Sequence, residues 1–315
     1  MKRKALIASI SGTILSKKES NLFKTYKPWG IILFKRNIKN FDQTKKLIKS
    51  IKYIFNDKNY PILIDEEGGT VCRLTSLLDN KPYSQNFFGK LYKKNKKLGF
   101  SIYDNYIYSL SSVLKKLGIN INTVPVLDIL KKNTHKIIIS RTYSSNIKII
   151  KTLGKLCIRS YKKNKIGTVI KHIPGHGSAS SDSHKTLPIV RKNQKNLNKS
   201  DFKCFKGMKS HFAMTAHILF SHIDSKNSVT HSSNLIKKII RKQIGFRGIL
   251  ISDDISMKAL KYDLVENAKR SLSAGCNLTL YCSGKYHESK RLLKELPLID
   301  SFTIKKTSQF YKFLR

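Results

Sequence analysis

GTVIKH, at positions 167–172, is a short run of small and β-branched residues that ends in a lysine and a histidine. Such a run is typical of a buried strand in a parallel sheet. The same kind of run occurs at seven other places: ALIASI (5–10), GIILF (30–34), PILID (61–65), INTVPVLDI (121–129), FAMTAH (212–217), GILISDD (248–254) and CNLTLY (276–281). The sequence therefore predicts eight strands.

Most stretches between these runs have the period of amphipathic helices. In SSNLIKKIIRKQIGF (232–246), four apolar residues fall on one helical face and four basic residues on the other. Ser232 or Ser233 is suited to cap the start of this helix and Gly245 to end it. Similar patterns occur at 42–56, 100–117, 146–164 and 264–274, and the interval 11–29 is the least regular.

Strands that alternate with helices predict parallel βαβ units, and eight such units fit a closed (β/α)8 TIM-like barrel, an α/β fold. An open doubly wound sheet is the alternative, but no G-x-G-x-x-G follows a strand and no P-loop is present. No internal repeat and no Pro- or Gly-rich linker divides the 315 residues. We therefore expect one barrel domain over residues 1–315.

The charge of the chain is unusual: 62 Lys and Arg against 19 Asp and Glu give a formal net charge of +43. A barrel that binds nucleic acid or another polyanion is one interpretation, because clustered cations displace phosphate counterions. The lysines are instead spread over nearly every segment, with no arginine-rich stripe. This spread favours a compositional bias over a dedicated nucleic-acid surface, although it permits non-specific polyanion affinity.

The cysteines and the amino-terminal segment indicate the compartment in which the protein is found. Five cysteines without C-x-x-C spacing indicate reduced thiols in a reducing compartment. The opening MKRKALIASISGTIL imitates a secretory signal, but Ser9, Ser11 and Gly12 interrupt its apolar run, which favours a first strand. No segment reaches the roughly 20 apolar residues of a membrane span. We expect a cytoplasmic protein.

Polar side chains end several of the predicted strands. Asp65, Asp128, His217, the pair Lys171-His172 and the pair Asp253-Asp254 all stand at such ends. Active sites of (β/α)8 barrels gather at the carboxyl ends of the strands. Of the two adjacent acids, Asp253 is expected to be reactive, and Asp254 to cap a following helix in ISMKAL (255–260) or to support its neighbour.

The loop KHIPGHGSASSDSH (171–184) contains three histidines and an aspartate close to glycines that permit sharp turns. Asp182 and His184, two apart on an extended segment, could form a carboxylate–imidazole pair that transfers protons near neutral pH. A metal site of His172, His176, Asp182 and His184 is a second interpretation, giving a metal-dependent hydrolase. A loop whose histidines only satisfy hydrogen bonds is a third.

Several motifs together resemble the bacterial β-N-acetylhexosaminidases of glycoside hydrolase family 3, the cytoplasmic enzymes of peptidoglycan recycling. The signature KHIPGHG, four residues, DSH, two residues, LP begins at Lys171, and the resemblance covers nearly the whole chain. It extends over GIILFKRNI (30–38), IDEEGGTVCRL (64–74), VPVLD (124–128), MTAHILFSHID (214–224), GFRGILISDDISMKAL (245–260) and AGCNLTLYC (274–282).

The resemblance implies a retaining exo-glycosidase that removes terminal β-linked N-acetylglucosamine from muropeptides and needs no metal or organic cofactor and no obligate protein partner. It implies Asp253 as the nucleophile and His184, paired with Asp182, as the acid/base. The residues implied to hold the sugar are Asp65, Arg73, Arg141, Lys171 and His172. Two departures are Thr70, where the family usually has arginine, and RTYSS (141–145), where it has RSFG.

Overall fold

A computed structural model describes residues 2–131, 136–179, 181, 183 and 186–315 of the protein. Eight strands of this part of the chain pair in parallel and close into a barrel. The barrel strands are β1 (Lys4–Ser9), β2 (Pro28–Leu33), β3 (Ile62–Ile64), β4 (Ile121–Asn122), β5 (Gly167–Ile173), β7 (Phe212–Thr215), β9 (Ile249–Asp254) and β10 (Leu278–Leu280). Their order around the barrel is β1-β10-β9-β7-β5-β4-β3-β2. Each of the eight predicted runs overlaps one of them, so the predicted (β/α)8 barrel is confirmed.

Two further strands, β6 (Ile189–Val190) and β8 (Leu219–Phe220), form a small separate sheet. The helices surround the barrel: α1 (Lys17–Tyr26), α2 (Phe41–Ile54), α3 (Gln85–Lys94), α4 (Lys96–Leu117), α5 (Lys136–Ile139), α6 (Ile147–Lys163), α7 (Gln194–Lys199), α8 (Asp201–Phe205), α9 (Leu264–Ala274), α10 (Tyr286–Glu295) and α11 (Ser301–Leu314). Short 3₁₀ turns cover Lys35–Asn37 and Val229–His231, and Leu235–Gln243 has π-helical hydrogen bonding.

The structure corrects two local predictions. Residues 255–260, ISMKAL, form turns instead of a helix, so Asp254 caps no helix there; its carboxylate accepts the N–H of Ser256 at 3.1 Å. The predicted strand 121–129 is regular only at Ile121–Asn122. Pro125 interrupts it, since proline has no N–H for a sheet ladder, and the chain rejoins the barrel at a single bridge between Val126 and Lys171.

Alternation along the strands sorts apolar side chains between the inside and the outside of the barrel. In β1, Ala5 and Ile7 belong to the inner cluster, whereas Leu6 and Ala8 pack outward against the helices. The inner cluster includes Trp29 and, from α11, Phe310. The indole N–H of Trp29 donates to Thr307 at 2.9 Å, so this tryptophan is a packing residue. Helix α11 therefore covers the amino-terminal end of the barrel and leaves the opposite end to the site.

Within the described residues, every helix is too short or too polar to cross a bilayer.

Candidate active site

A cavity opens at the carboxyl ends of the strands, where the sequence places the functional residues. All five predicted sugar-binding residues line it, together with the predicted nucleophile: Asp65, Arg73, Arg141, Lys171, His172 and Asp253. Strands β3, β5 and β9 supply four of these side chains at or just beyond their ends. Asp182 and His184, the predicted proton-transfer pair, lie outside the described residues.

A buried lysine joins two carboxylates on one side of the cavity. The Nζ atom of Lys171 lies 2.5 Å from Asp65 Oδ1 and 2.6 Å from Glu67 Oε1, and it also contacts the hydroxyl of Thr123. Arg73 binds the other oxygen of Asp65 at 2.8 Å. Burial alone would raise the pKa of Asp65, but these cations hold it far below its usual value. Asp65 is thus an ionised acceptor at the wall of the cavity.

Arg141 is held by a two-point ion pair. Its guanidinium donates to both carboxylate oxygens of Glu67 at 2.8 Å, a fork geometry that fixes the plane of the group. The altered segment RTYSS therefore keeps Arg141 at the cavity. Tyr143, from the same segment, is buried, and its hydroxyl lies 2.6 Å from that of Tyr103.

His172 is oriented by groups on both of its ring nitrogens. Nδ1 lies 2.7 Å from Asp128 Oδ2, and Nε2 lies 3.3 Å from Nη2 of Arg141. Because arginine only donates, Nε2 accepts and Nδ1–H donates to Asp128, which fixes the tautomer. Burial alone would raise the pKa of Asp128, but the neighbouring His172 holds the pKa of this carboxyl group below its ordinary value. The Lys171–His172 peptide bond is cis.

The two acids at the end of β9 have different surroundings. Burial alone would raise the pKa of Asp253, but the imidazoles of His217 and His172 and the N–H of Asp254 lower it. Burial raises the pKa of Asp254 above its usual value despite hydrogen bonds from Ser256. His217 supports this strand end, donating from Nε2 to the carbonyl of Asp254 at 3.0 Å. Asp253 is consequently the acid that ionises more readily.

The first part of the loop 171–184 is anchored by two buried aspartates. Asp128 accepts the backbone N–H of His176 at 2.6 Å, and Asp201 accepts the N–H and hydroxyl of Ser178. Among residues whose placement is described, no three His, Cys, Asp or Glu side chains are grouped as metal ligands. Of the four residues in the metal interpretation, Asp182 and His184 are outside that set, so the structure does not test it.

Sequence reasoning missed Glu67, Thr123 and the apolar side of the cavity. Glu67 follows Asp65 in IDEEGG, and this run of acids directly after a strand was its signal. Met214, Met257 and Leu280 line the cavity near Asp253. Their contribution could not be recognised because apolar residues at strand ends resemble ordinary core residues.

A family profile described as the Glycosyl hydrolase family 3 N terminal domain matches residues 6–306. The chain belongs to glycosyl hydrolase family 3 and is a glycoside hydrolase. A β-hexosaminidase of Psychromonas ingrahamii is 29% identical over 314 residues, which are 97% of this chain and 88% of that protein.

Solved structures agree with this family assignment. NagZ from Neisseria gonorrhoeae, in complex with N-trifluoroacetyl-D-glucosamine, superposes with a TM-score of 0.87 at 25% identity and covers 100% of this chain and 91% of its own. A family 3 β-N-acetylglucosaminidase from Paenibacillus sp. str. FPU-7 has a TM-score of 0.85 at 26% identity. The match covers 98% of this family 3 chain and 60% of the Paenibacillus protein.

One departure from the family pattern lies at the edge of the site. Thr70 is exposed, and its hydroxyl lies 3.2 Å from that of Ser140. The side chain of Thr70 therefore lies at the surface of this family 3 barrel, where it connects two loops.

Proposed function

We propose that the chain is a retaining exo-β-N-acetylglucosaminidase, with Asp253 as nucleophile and His184, paired with Asp182, as acid/base. The observation that carries the proposal is the position of Asp253. It is an acid with a lowered pKa that lines the same cavity as Asp65, Arg73, Arg141, Lys171 and His172. The printed names of relatives, β-hexosaminidase and β-N-acetylglucosaminidase, support the choice of sugar.

Asp253 is suited to attack because it is ionised and directed by its backbone. Its Oδ1 accepts the N–H of Asp254 at 2.8 Å, which leaves Oδ2 for the anomeric carbon. An imidazole as the second catalytic group carries no negative charge in either protonation state, so it avoids the like-charge repulsion of a carboxylate pair. Asp253 therefore stays ionised near neutral pH.

The charged wall opposite Asp253 is suited to hold sugar hydroxyls. Asp65 offers carboxylate oxygens as acceptors, and Lys171, Arg73 and Arg141 offer N–H donors. Because these groups already neutralise one another, they are fixed in place before the substrate binds. The thioethers of Met214 and Met257 give an apolar surface for an acetyl methyl group.

The reaction proceeds in two steps. A carboxylate oxygen of Asp253 forms a bond to the anomeric carbon while the glycosidic C–O bond breaks, and protonated His184 gives its proton to the leaving oxygen. In the second step, neutral His184 takes a proton from water, whose oxygen bonds to the anomeric carbon as Asp253 leaves. The two inversions give overall retention.

The natural substrate class is the muropeptide, N-acetylglucosamine linked to anhydro-N-acetylmuramic acid with its peptide, handled in the cytoplasm. Such fragments are anionic, and a chain of net charge +43 attracts anions over distances of about a Debye length. This substrate assignment is tested by comparing N-acetylglucosamine release from such a muropeptide and from a neutral chitin disaccharide at low and high salt.

The first test of the activity is turnover of p-nitrophenyl β-N-acetylglucosaminide. We expect wild type to be active with or without EDTA, Asp253→Asn to lose at least about 10³-fold in kcat, and the matched variant Asp42→Asn, on an exposed position of α2, to be unaffected. Loss of turnover in EDTA that zinc restores would favour the metal-dependent hydrolase. A folded wild type without turnover, but with salt-sensitive nucleic-acid binding, would favour the polyanion-binding barrel.

A further inference from the structure

A second cavity lies near the amino-terminal end of the barrel, away from the catalytic one. It has a volume of about 460 Å³, within the range of small-molecule sites. Thr168 near the start of β5, Phe212 at the start of β7 and Gly248 just before β9 contribute to its wall. Lys306 and Gln309 of α11 close one side. No residue of this cavity takes part in the proposed reaction.

The charged lining of this cavity has one sign. Among the lining residues that the structure describes, four are cations, Lys162, Lys209, Arg247 and Lys306, and none is Asp or Glu. The cavity around Lys258, Lys285 and Arg291, by contrast, also contains Asp263 and Glu288, which pair with Arg291 and Lys285 respectively.

His211 lies at the wall of the cavity, where nearby cations affect its pKa. Burial together with the cations Lys162 and Lys306 lowers the pKa of its imidazole to about 4. His211 is therefore neutral at physiological pH and offers a polar edge without adding another charge. Its ring packs against Phe313, with ring centroids 4.5 Å apart, so its position is fixed.

The remaining wall is apolar and belongs to the hydrophobic core. Met208, Ile244 and Phe246 are each buried with only a small exposed fraction, and Phe205 and Phe212 also line this wall. A ligand that fills the cavity must therefore present an apolar body to this wall and negative charge to the cationic rim.

We propose that this cavity binds a small organic anion with an apolar body, in which a carboxylate, sulfonate or phosphate contacts Lys306 and Arg247. The apolar body packs against Met208 and Phe246. The site is independent of the proposed glycosidase reaction, because the two cavities share no lining residue among those described. It is a binding site in addition to the catalytic one.

The four methionines allow the two cavities to be observed separately. Met208 lines the second cavity, Met214 and Met257 line the catalytic cavity, and Met1 is outside the described residues. In protein labelled with ¹³C-methyl methionine, anilinonaphthalene sulfonate serves as the anion with an apolar body, and inorganic sulfate as the anion without one. We expect the probe to shift the Met208 resonance saturably, N-acetylglucosamine to shift Met214 or Met257, and sulfate to bind at least about tenfold more weakly than the probe.

Charge-removing variants then test the contacts. In Lys306→Gln/Arg247→Gln the probe should bind at least about tenfold more weakly, since two charge-assisted contacts are lost. Lys305→Gln, the exposed neighbour on α11, is the matched control and should bind as wild type does. All variants should retain glycosidase turnover. An unshifted Met208, displacement of the probe by N-acetylglucosamine, or equal binding by the double variant and the control would overturn the proposal.

Discussion

The Nζ atom of Lys171 lies between two carboxylates, 2.5 Å from Asp65 and 2.6 Å from Glu67. The side chains of Lys171 and Glu67 are almost fully buried, whereas that of Asp65 is 18% exposed toward the cavity. The two acids therefore have different tasks. Asp65 is positioned to meet the substrate, and Glu67 holds Lys171 and Arg141 from behind.

Asp65→Asn tests the direct contact with the sugar. The amide replaces one acceptor oxygen and removes the charge, so a charged hydrogen bond worth about 1.5–3 kcal/mol is lost, and kcat/KM should fall roughly 10- to 150-fold. Most of the loss should be in KM, because the contact exists before the transition state. Steady-state kinetics check this, with circular dichroism as the control for folding. An unchanged KM would remove Asp65 from the sugar site.

Glu67→Gln tests the supporting role. The neutral amide leaves the buried side chains of Arg141 and Lys171 with one carboxylate partner fewer. Breaking such a buried pair costs about 3–5 kcal/mol. We expect a decrease of that size in the free energy of unfolding, measured with urea. Glu266→Gln, which breaks the exposed pair with Arg270, is the matched control and should change it little. Equal effects in both variants would show that Glu67 has no special role.

His211 predicts a dependence of stability on pH. Burial and nearby lysines lower its pKa in the folded state from 6.5 to about 4, so the unfolded chain binds more protons between these values. This contribution to stability is complete above about pH 6.5 and is lost as the pH falls toward 4. His211→Gln should therefore give a smaller decrease in unfolding free energy between pH 7 and pH 4.5 than wild type. An identical decrease in both proteins would show that His211 is not buried as described.

The sequence predicted the barrel well because eight short runs of small and β-branched residues recur along it, and most of the stretches between them have a helical period. It missed α11, whose buried residues Thr303, Thr307 and Phe310 mix polar with apolar types. It also missed the distinction between Asp65 and Glu67, since both follow the same strand and only their partners differ. Ion-pair partners such as Arg141 come from distant segments, and periodicity carries no information about them.

The assignment of Asp253 as nucleophile is the central claim, and a trapped intermediate tests it most directly. In His184→Ala, a dinitrophenyl leaving group needs no proton, so the first step proceeds, whereas hydrolysis lacks its base and the glycosyl-enzyme accumulates. Acid quenching, proteolysis and mass spectrometry of this variant should find N-acetylglucosamine attached to Asp253. A sugar attached to another residue, or a burst of dinitrophenol with no labelled peptide, would contradict the account.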